Sequence, residues 1–367
     1  MSLSIRDLAT PGVRAFQPYQ PGKPLSELER EYGIRDAIKL ASNENPLGPS
    51  PLGLAAARQA LDEVALYPDS HGFALKQALA AALAVEPGQL VLGNGSNEIL
   101  QLVARAFLNP GDEVVLAQYA FAIFTTVSVS AGGRVVTVPA RDWGADLPAM
   151  RAAVTPRTRV IFLANPNNPT GTWHRAAELR AFLESLPPHV VVVLDEAYCE
   201  YVSEPDYPNG LAWLAQFPNL LVSRTFSKIY GLAGLRLGYG VASAPMADLL
   251  NRLREPFTVN NLALAAGEAA LADEEHVRRA RELNAQGLAL LAAACQRLGL
   301  AYIPSVGNFI AVDVGRPAGP VYEALLRRGV IVRPLAPYGM PNHLRITIGT
   351  PAQMQRLLAA LPQALAG

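Results

Sequence analysis

The chain has 367 residues, half of them hydrophobic and 17% charged, with Lys+Arg and Asp+Glu equal at 31 each. That length supports one large and one smaller unit with separate cores, and the balanced charge leaves no net field to attract nucleic acid or an anionic membrane. Two distant cysteines, five histidines without ligand spacing and no run near the roughly 18 apolar residues of a span argue against a disulfide framework, a metal centre and a membrane protein, and predict an unexported, cytoplasmic chain.

Up to about Lys39 the sequence is rich in proline and glycine, and Gln17-Pro18-Tyr19-Gln20-Pro21-Gly22-Lys23-Pro24 reads as an irregular arm. A short strand at Ile38–Ala41 is broken by the turn Ser42-Asn43-Glu44-Asn45-Pro46, and alanine-rich helices follow at Leu54–Leu61 and Phe73–Ala84. Tyr67, in Leu66-Tyr67-Pro68-Asp69, falls on the loop between them. From Leu90 strands and helices alternate, the pattern of an α/β domain with a largely parallel sheet. Strands are expected at Leu90–Leu92, Glu113–Ala117, Arg134–Val138, Arg159–Leu163, Val190–Asp195 and Leu220–Ser223, with one more short strand after Gly240. Helices are expected at Ile99–Leu108, Phe121–Ser130 and Ala176–Leu186, then through a long Ala/Leu-rich region from Ala247 to Gly299 broken at Pro256. Strands at Ser305–Val312, Gly329–Arg333 and His343–Ile348 with helices at Gly319–Arg328 and Pro351–Leu361 complete a compact α+β unit. The expected division is an arm at 1–40 lying on the small domain and a partner subunit, a large domain at 41–256, and a small C-terminal domain at 257–367.

The chemistry concentrates in loops after strands, where ligands of open α/β sheets bind. Lys228 is one of only four lysines. It stands between hydroxyl residues in Ser223-Arg224-Thr225-Phe226-Ser227-Lys228, ahead of a glycine-spaced apolar run and Arg236. Apolar neighbours favour the neutral amine, a nucleophile for a carbonyl, and Thr225, Ser227 and Arg236 are donors suited to a phosphate. Gly95-Ser96-Asn97 opens a helix after a strand, where free backbone N–H groups and the positive helix end suit an anion. Read alone, Ser96 serves equally well as a plain helix cap. Glu98 stands where Gly-x-Gly-x-x-Gly needs its third glycine, so this is not a dinucleotide fingerprint. Asn168, in Asn165-Pro166-Asn167-Asn168-Pro169-Thr170-Gly171, follows an apolar strand. Val191-Val192-Val193-Leu194-Asp195 ends a β-branched strand in a carboxylate, with Tyr198 three residues later; such an acid is either a helix cap or a catalytic group.

In that order, Asn168, Asp195, Tyr198, Lys228 and Arg236 resemble the fold type I pyridoxal-phosphate enzymes of the aspartate-aminotransferase superfamily, over nearly the whole chain. The resemblance implies pyridoxal 5′-phosphate as cofactor, no metal, and a mixed, mainly parallel sheet with helices on both faces beside a smaller α+β domain. It implies that Lys228 links covalently to the cofactor and moves the substrate proton, that Asp195 pairs with the ring nitrogen, and that Asn168 and Tyr198 hydrogen-bond the phenolic oxygen. Gly95, Ser96, Asn97, Thr225, Ser227 and Arg236 would hold the phosphate. Phe121, or second Tyr119, would stack on the ring, and Tyr67 would reach the phosphate in the other subunit of a homodimer. Within the superfamily, Pro18–Pro24, Asn43-Glu44-Asn45-Pro46 and His343-Leu344-Arg345-Ile346-Thr347-Ile348-Gly349 are most similar to the histidinol-phosphate aminotransferases, which implies small anionic substrates. Arg345 would then clamp a carboxylate or phosphate, helped by Arg333, Tyr19, Asn43 and Asn308. Aromatic amino-acid aminotransferases share the Tyr338–Arg345 type of ending and stay open as an alternative, as does a phosphothreonine-type decarboxylase.

Overall fold

The computed structural model describes residues 4–15 and 22–366. From the N-terminus its elements are α1 (Ile5–Leu8), α2 (Pro11–Ala15), α3 (Leu25–Tyr32), β1 (Ile38–Lys39), α4 (Pro51–Ala60), α5 (Phe73–Leu83), β2 (Leu90–Asn94), α6 (Ser96–Phe107) and β3 (Glu113–Ala117). Next come α7 (Ala122–Ser130), β4 (Arg134–Val138), α8 (Leu147–Ala152), β5 (Thr158–Ala164), α9 (Ala176–Ser185), β6 (Val191–Asp195), β7 (Leu220–Thr225) and β8 (Leu237–Ala242). The remainder is α10 (Ala244–Leu253), α11 (Asn261–Leu271), α12 (Glu274–Arg297), β9 (Tyr302–Ile303), β10 (Phe309–Asp313), α13 (Ala318–Leu326), β11 (Val330–Ile331), β12 (Arg333–Pro334), β13 (His343–Thr347) and α14 (Pro351–Ala366).

The β-branched runs form a seven-stranded sheet in the order β2-β8-β7-β6-β5-β3-β4, parallel except for β8, which runs against both its neighbours. Successive side chains of a strand point to opposite faces, and here both faces are covered. Ile161, Leu163, Val192 and Leu194 pack with α5, α8, α9 and α11 on one side, while Val160, Phe162, Val191 and Val193 pack with α6, α7 and α10 on the other. Each such buried aliphatic side chain contributes about 1.5–3 kcal/mol, which is why the sheet holds its register. This is the mixed, mainly parallel α/β architecture expected from the sequence. A second, antiparallel sheet, β12-β13-β10-β9, is backed by α12, α13 and α14 around Leu291, Val321, Leu325, Leu357 and Leu361.

Several local expectations are revised. The N-terminal stretch contains α3, whose Leu28 packs against Leu326 and Ile331, and α2, which lies against Val129 of α7. The strand expected after Gly240 begins at Leu237, directly behind Arg236. The helical region after Ala247 is three helices, and the second break is set by Asp273, whose carboxylate accepts from the amide of His276 and caps α12. The single strand expected at Gly329–Arg333 divides in two: Val330–Ile331 pairs in parallel with β1, and Arg333–Pro334 pairs with β13. Ser305–Asn308 is loop, and the strand there starts at Phe309.

Candidate active site

Because β2, β5, β6 and β7 run in the same direction, the loops that leave them meet at one edge of the large sheet. A cleft at that edge is lined by Ser96, Asn97, Phe121, Asn168, Asp195 and Tyr198, and by Thr225, Ser227, Lys228, Arg236, Arg333 and Arg345. Residues as far apart in sequence as Ser96 and Arg345 therefore share one cavity, brought there by the strand order of the large sheet and by the second sheet that carries Arg333 and Arg345.

Lys228 and Arg236 owe their placement to the reversal between β7 and β8. The antiparallel register sets Thr225 opposite Gly238, and the Phe226 amide donates to the Leu237 carbonyl at 3.0 Å, so the ends of the intervening loop are clamped together. Arg236 Nη1 donates to Ser227 Oγ at 3.3 Å and to the Ala233 carbonyl at 3.0 Å. The first turn of α6 lies against the same spot. A Cβ on Gly238 would come within 2.2 Å of the Ser96 nitrogen, so only glycine admits this approach of loop to strand. Gly95, at φ 75°, does not line the cleft itself but turns the chain so that Ser96 and Asn97 do. Hydroxyls, a guanidinium and helix N-terminal amides thus converge on one point, a cradle for a dianion.

Asp195 is the last residue of β6 and is buried. Its register partner on β7 is Ser223, whose hydroxyl donates to Asp195 Oδ1 at 2.8 Å. Burial pushes the Asp195 carboxyl up to about 6, against the pull of Ser223 and the Ala197 amide. Lys228 Nζ sits 5.6 Å from the centre of the Tyr198 ring and donates to the Ser42 carbonyl at 3.3 Å. Tyr198 is buried with its ring edge-on to Phe309 at 5.3 Å. Burial raises its phenol above the usual range, countered by Arg345 and by a hydrogen bond from Asn43.

Arg333 and Arg345 are both buried and stand directly opposite each other on β12 and β13, so their side chains leave the same face of the ladder. Two cations so placed repel and favour an anion between or beside them. Arg345 Nη1 donates to Asn168 Oδ1 and Nη2 to the Ala41 carbonyl at 2.7 Å.

Besides Gly95, three expected site residues are placed differently from the rest. Asn308 does not line the cleft; it is buried behind it and its amide donates to the Asn43 carbonyl at 3.0 Å. Asn43 lines the cleft, but both ends of its side chain are engaged within the protein, with Tyr198 and with Thr347, rather than presented to a substrate. Tyr67 is 81% exposed, stacked on Phe257 at 4.6 Å and absent from this chain's own cleft. Tyr19 lies outside the described residues. Of the two aromatic choices, Phe121 lines the cleft, whereas Tyr119 packs on Trp143 at 5.4 Å. Ala41, Ser42 and Ser223 were missed, because two act through backbone carbonyls and the third through a cross-strand register that no local pattern shows.

The family described as aminotransferase class I and II matches residues 35–361. The chain belongs to that family. It is 58% identical over the whole of both chains to histidinol-phosphate aminotransferase 2 of Pseudomonas fluorescens (strain Pf0-1), and 54% identical to histidinol-phosphate aminotransferase 1 of Nitrosococcus oceani over 98% of this chain and 97% of the other. Among solved structures, histidinol-phosphate aminotransferase from Sinorhizobium meliloti in complex with pyridoxal-5′-phosphate superposes with a TM-score of 0.90 at 34% identity, covering 98% of this chain and 97% of that one.

Proposed function

We propose that this chain transfers the amino group of L-histidinol phosphate to 2-oxoglutarate, giving imidazole-acetol phosphate and L-glutamate in histidine biosynthesis, with pyridoxal phosphate held at Lys228. The observation that carries the reading is the full-length 58% identity to a histidinol-phosphate aminotransferase, in a chain whose cleft opposes Lys228 with a pair of buried arginines.

The residues fit the cofactor. The cradle at Ser96, Asn97, Thr225, Ser227 and Arg236 suits its phosphate, and its tightness requires a glycine at position 238. The carboxylate of Asp195, costly to ionise where it is buried, gains a counter-charge in a protonated ring nitrogen. Bound there, pyridoxal phosphate supplies an electron-poor ring that accepts the electron pair left when the substrate loses its Cα proton. Lys228 Nζ would carry that proton from the substrate Cα to the carbon on which the amino group is left. Asn168 and Tyr198 would hold the phenolic oxygen, and Phe121, which lines the cleft, would lie against the ring. Arg345, with Arg333, fixes the phosphate of one substrate and the carboxylate of the other, so both half-reactions use one anion site.

A second copy of the chain completes each site. Tyr67, Phe257, Leu61, Val64, Leu66 and Phe73 are all exposed apolar side chains, and Tyr67 is remote from its own cleft. Within each copy the large unit extends through α11, whose Ala263, Ala266 and Ala270 share a core with Ala57, Leu75 and Leu79. That shared core supports a boundary near Asp273 in place of 256. The free thiols Cys199 and Cys295 suit the reducing cytoplasm.

Steady-state kinetics with histidinol phosphate, phenylalanine and phosphothreonine as amino donors test the assignment. The expected result is a kcat/KM for histidinol phosphate well above that for phenylalanine and no release of carbon dioxide. A preference for phenylalanine, or decarboxylation without amino transfer, refutes it. Light scattering that finds an active monomer refutes the shared site.

A further inference from the structure

Asn43 is buried, with its backbone in the left-handed region at φ 55°, a conformation that asparagine tolerates better than most residues. Its hydrogen bonds have a direction that can be read off one atom at a time. The Asn43 backbone N–H can only donate, and it donates to Thr347 Oγ1 at 3.0 Å. That hydroxyl in turn donates its single hydrogen to Asn43 Oδ1, at 3.0 Å. With Oδ1 fixed as acceptor, the other end of the side chain is the amide nitrogen, and Nδ2 donates to the Tyr198 oxygen at 2.9 Å. The opposite arrangement would turn the Asn43 NH₂ toward the Thr347 oxygen and take from the hydroxyl hydrogen the acceptor it has among the described residues. Tyr198 thus receives a hydrogen bond from Asn43 and keeps its own hydrogen for another acceptor. Asn308, donating to the Asn43 carbonyl, holds the hub in place.

We propose that Thr347 and Asn43 form a one-way hydrogen-bond relay that positions Tyr198, aiming its hydroxyl hydrogen into the cleft to be donated to the phenolic oxygen of the bound cofactor. Both are positioning residues, since they act through Tyr198. Thr347 is two residues from Arg345 on β13 and so shares its face, which ties the aim of the tyrosine to the strand that takes the substrate's anion. The inference rests on the cofactor reading above.

The test is a pH titration of the visible absorbance of the protein-bound cofactor in the wild type and in Thr347→Val, Thr347→Ser and Asn43→Asp. A second readout is the carbon-13 signal of the Tyr198 ring Cζ in cofactor-free, tyrosine-labelled protein. Thr347→Val removes the group that sets the amide's orientation and is expected to raise the midpoint of the chromophore by about one pH unit, the tenfold weight of a modest hydrogen bond to a charged oxygen. Thr347→Ser restores the wild-type midpoint. Asn43→Asp turns position 43 into an acceptor toward Tyr198, and is expected to shift the midpoint upward as well. In the cofactor-free protein the Tyr198 Cζ signal moves in Thr347→Val and Asn43→Asp and stays in place in Thr347→Ser. Unchanged midpoints and an unchanged Cζ signal in folded Thr347→Val and Asn43→Asp overturn the relay. A wild type that never acquires the chromophore refutes the cofactor reading instead, and the Cζ signal still decides the relay.

Discussion

Replacing Asp195 with asparagine should stabilise the cofactor-free protein while impairing the enzyme. The carboxyl is buried, and its burial raises its pKa from an ordinary 3.8 to about 6. As pH climbs, the unfolded chain gives up this proton first, so native stability is lost between about pH 4 and pH 6 and stays lost above that window. The shift is about two units, worth about 3 kcal/mol at pH 8. For a chain of this length, with an unfolding entropy of about 0.8 kcal/mol/K, that amounts to an increase of about 4 °C in the melting temperature of Asp195→Asn. Scanning calorimetry on both cofactor-free proteins at pH 8, 6 and 4 measures it. The gain should be largest at pH 8 and fall below about 1 kcal/mol at pH 4. A gain that is absent at pH 8, or equal at all three values, refutes the claim that a buried carboxylate only partly offset by its neighbours is held here in readiness for a cationic ring.

Other changes probe the remaining parts of the site. Gly238→Ala drives a methyl group into the Ser96 amide and should cost about 1–3 kcal/mol of stability together with at least a tenfold loss of phosphate-dependent cofactor affinity, read by equilibrium dialysis. Arg345→Lys keeps the charge but loses the planar fork, and should raise KM for histidinol phosphate about 10- to 100-fold with a smaller change in kcat. Arg224 pairs with the wholly buried Glu196, donating at 2.7 and 2.9 Å, behind the strands that end in Asp195 and Thr225. Arg224→Met leaves that carboxylate uncompensated, and calorimetry should show a loss of about 3–5 kcal/mol. Arg224→Met and Glu196→Gln combined should recover part of it.

What was legible in the sequence was what is local. Val191–Asp195 announces a buried strand with an acid at its end, and Ser227-Lys228 with Arg236 announces an amine beside a hydroxyl and a guanidinium, because strand periodicity and residue chemistry act over a few residues. The parallel sheet followed from the alternation of strands and helices. Residues whose roles depend on a distant partner were not legible. Asn43 reads as a turn residue until Thr347 and Tyr198 are folded against it. Ser223 has no role until register places it beside Asp195. The apolar run at 329–333 carries no mark of the point at which it leaves one sheet for another, because that choice is made by β1 and β13 competing for its edges.

That parting of β11 from β12 has a mechanical consequence. Segment 38–40 is stitched to the small unit on two sides, with the Leu40 amide donating to the Ile331 carbonyl at 2.7 Å and the Leu40 carbonyl accepting from Thr347 at 2.9 Å. Ala41 and Ser42 follow at once and touch Arg345 and Lys228. The segment thus links β13, which carries Arg345, to the carbonyl on which Lys228 rests, two residues beyond the last stitch. Any displacement of β11 and β13 against the large sheet would therefore be felt at the Ser42 carbonyl, and through it at Lys228.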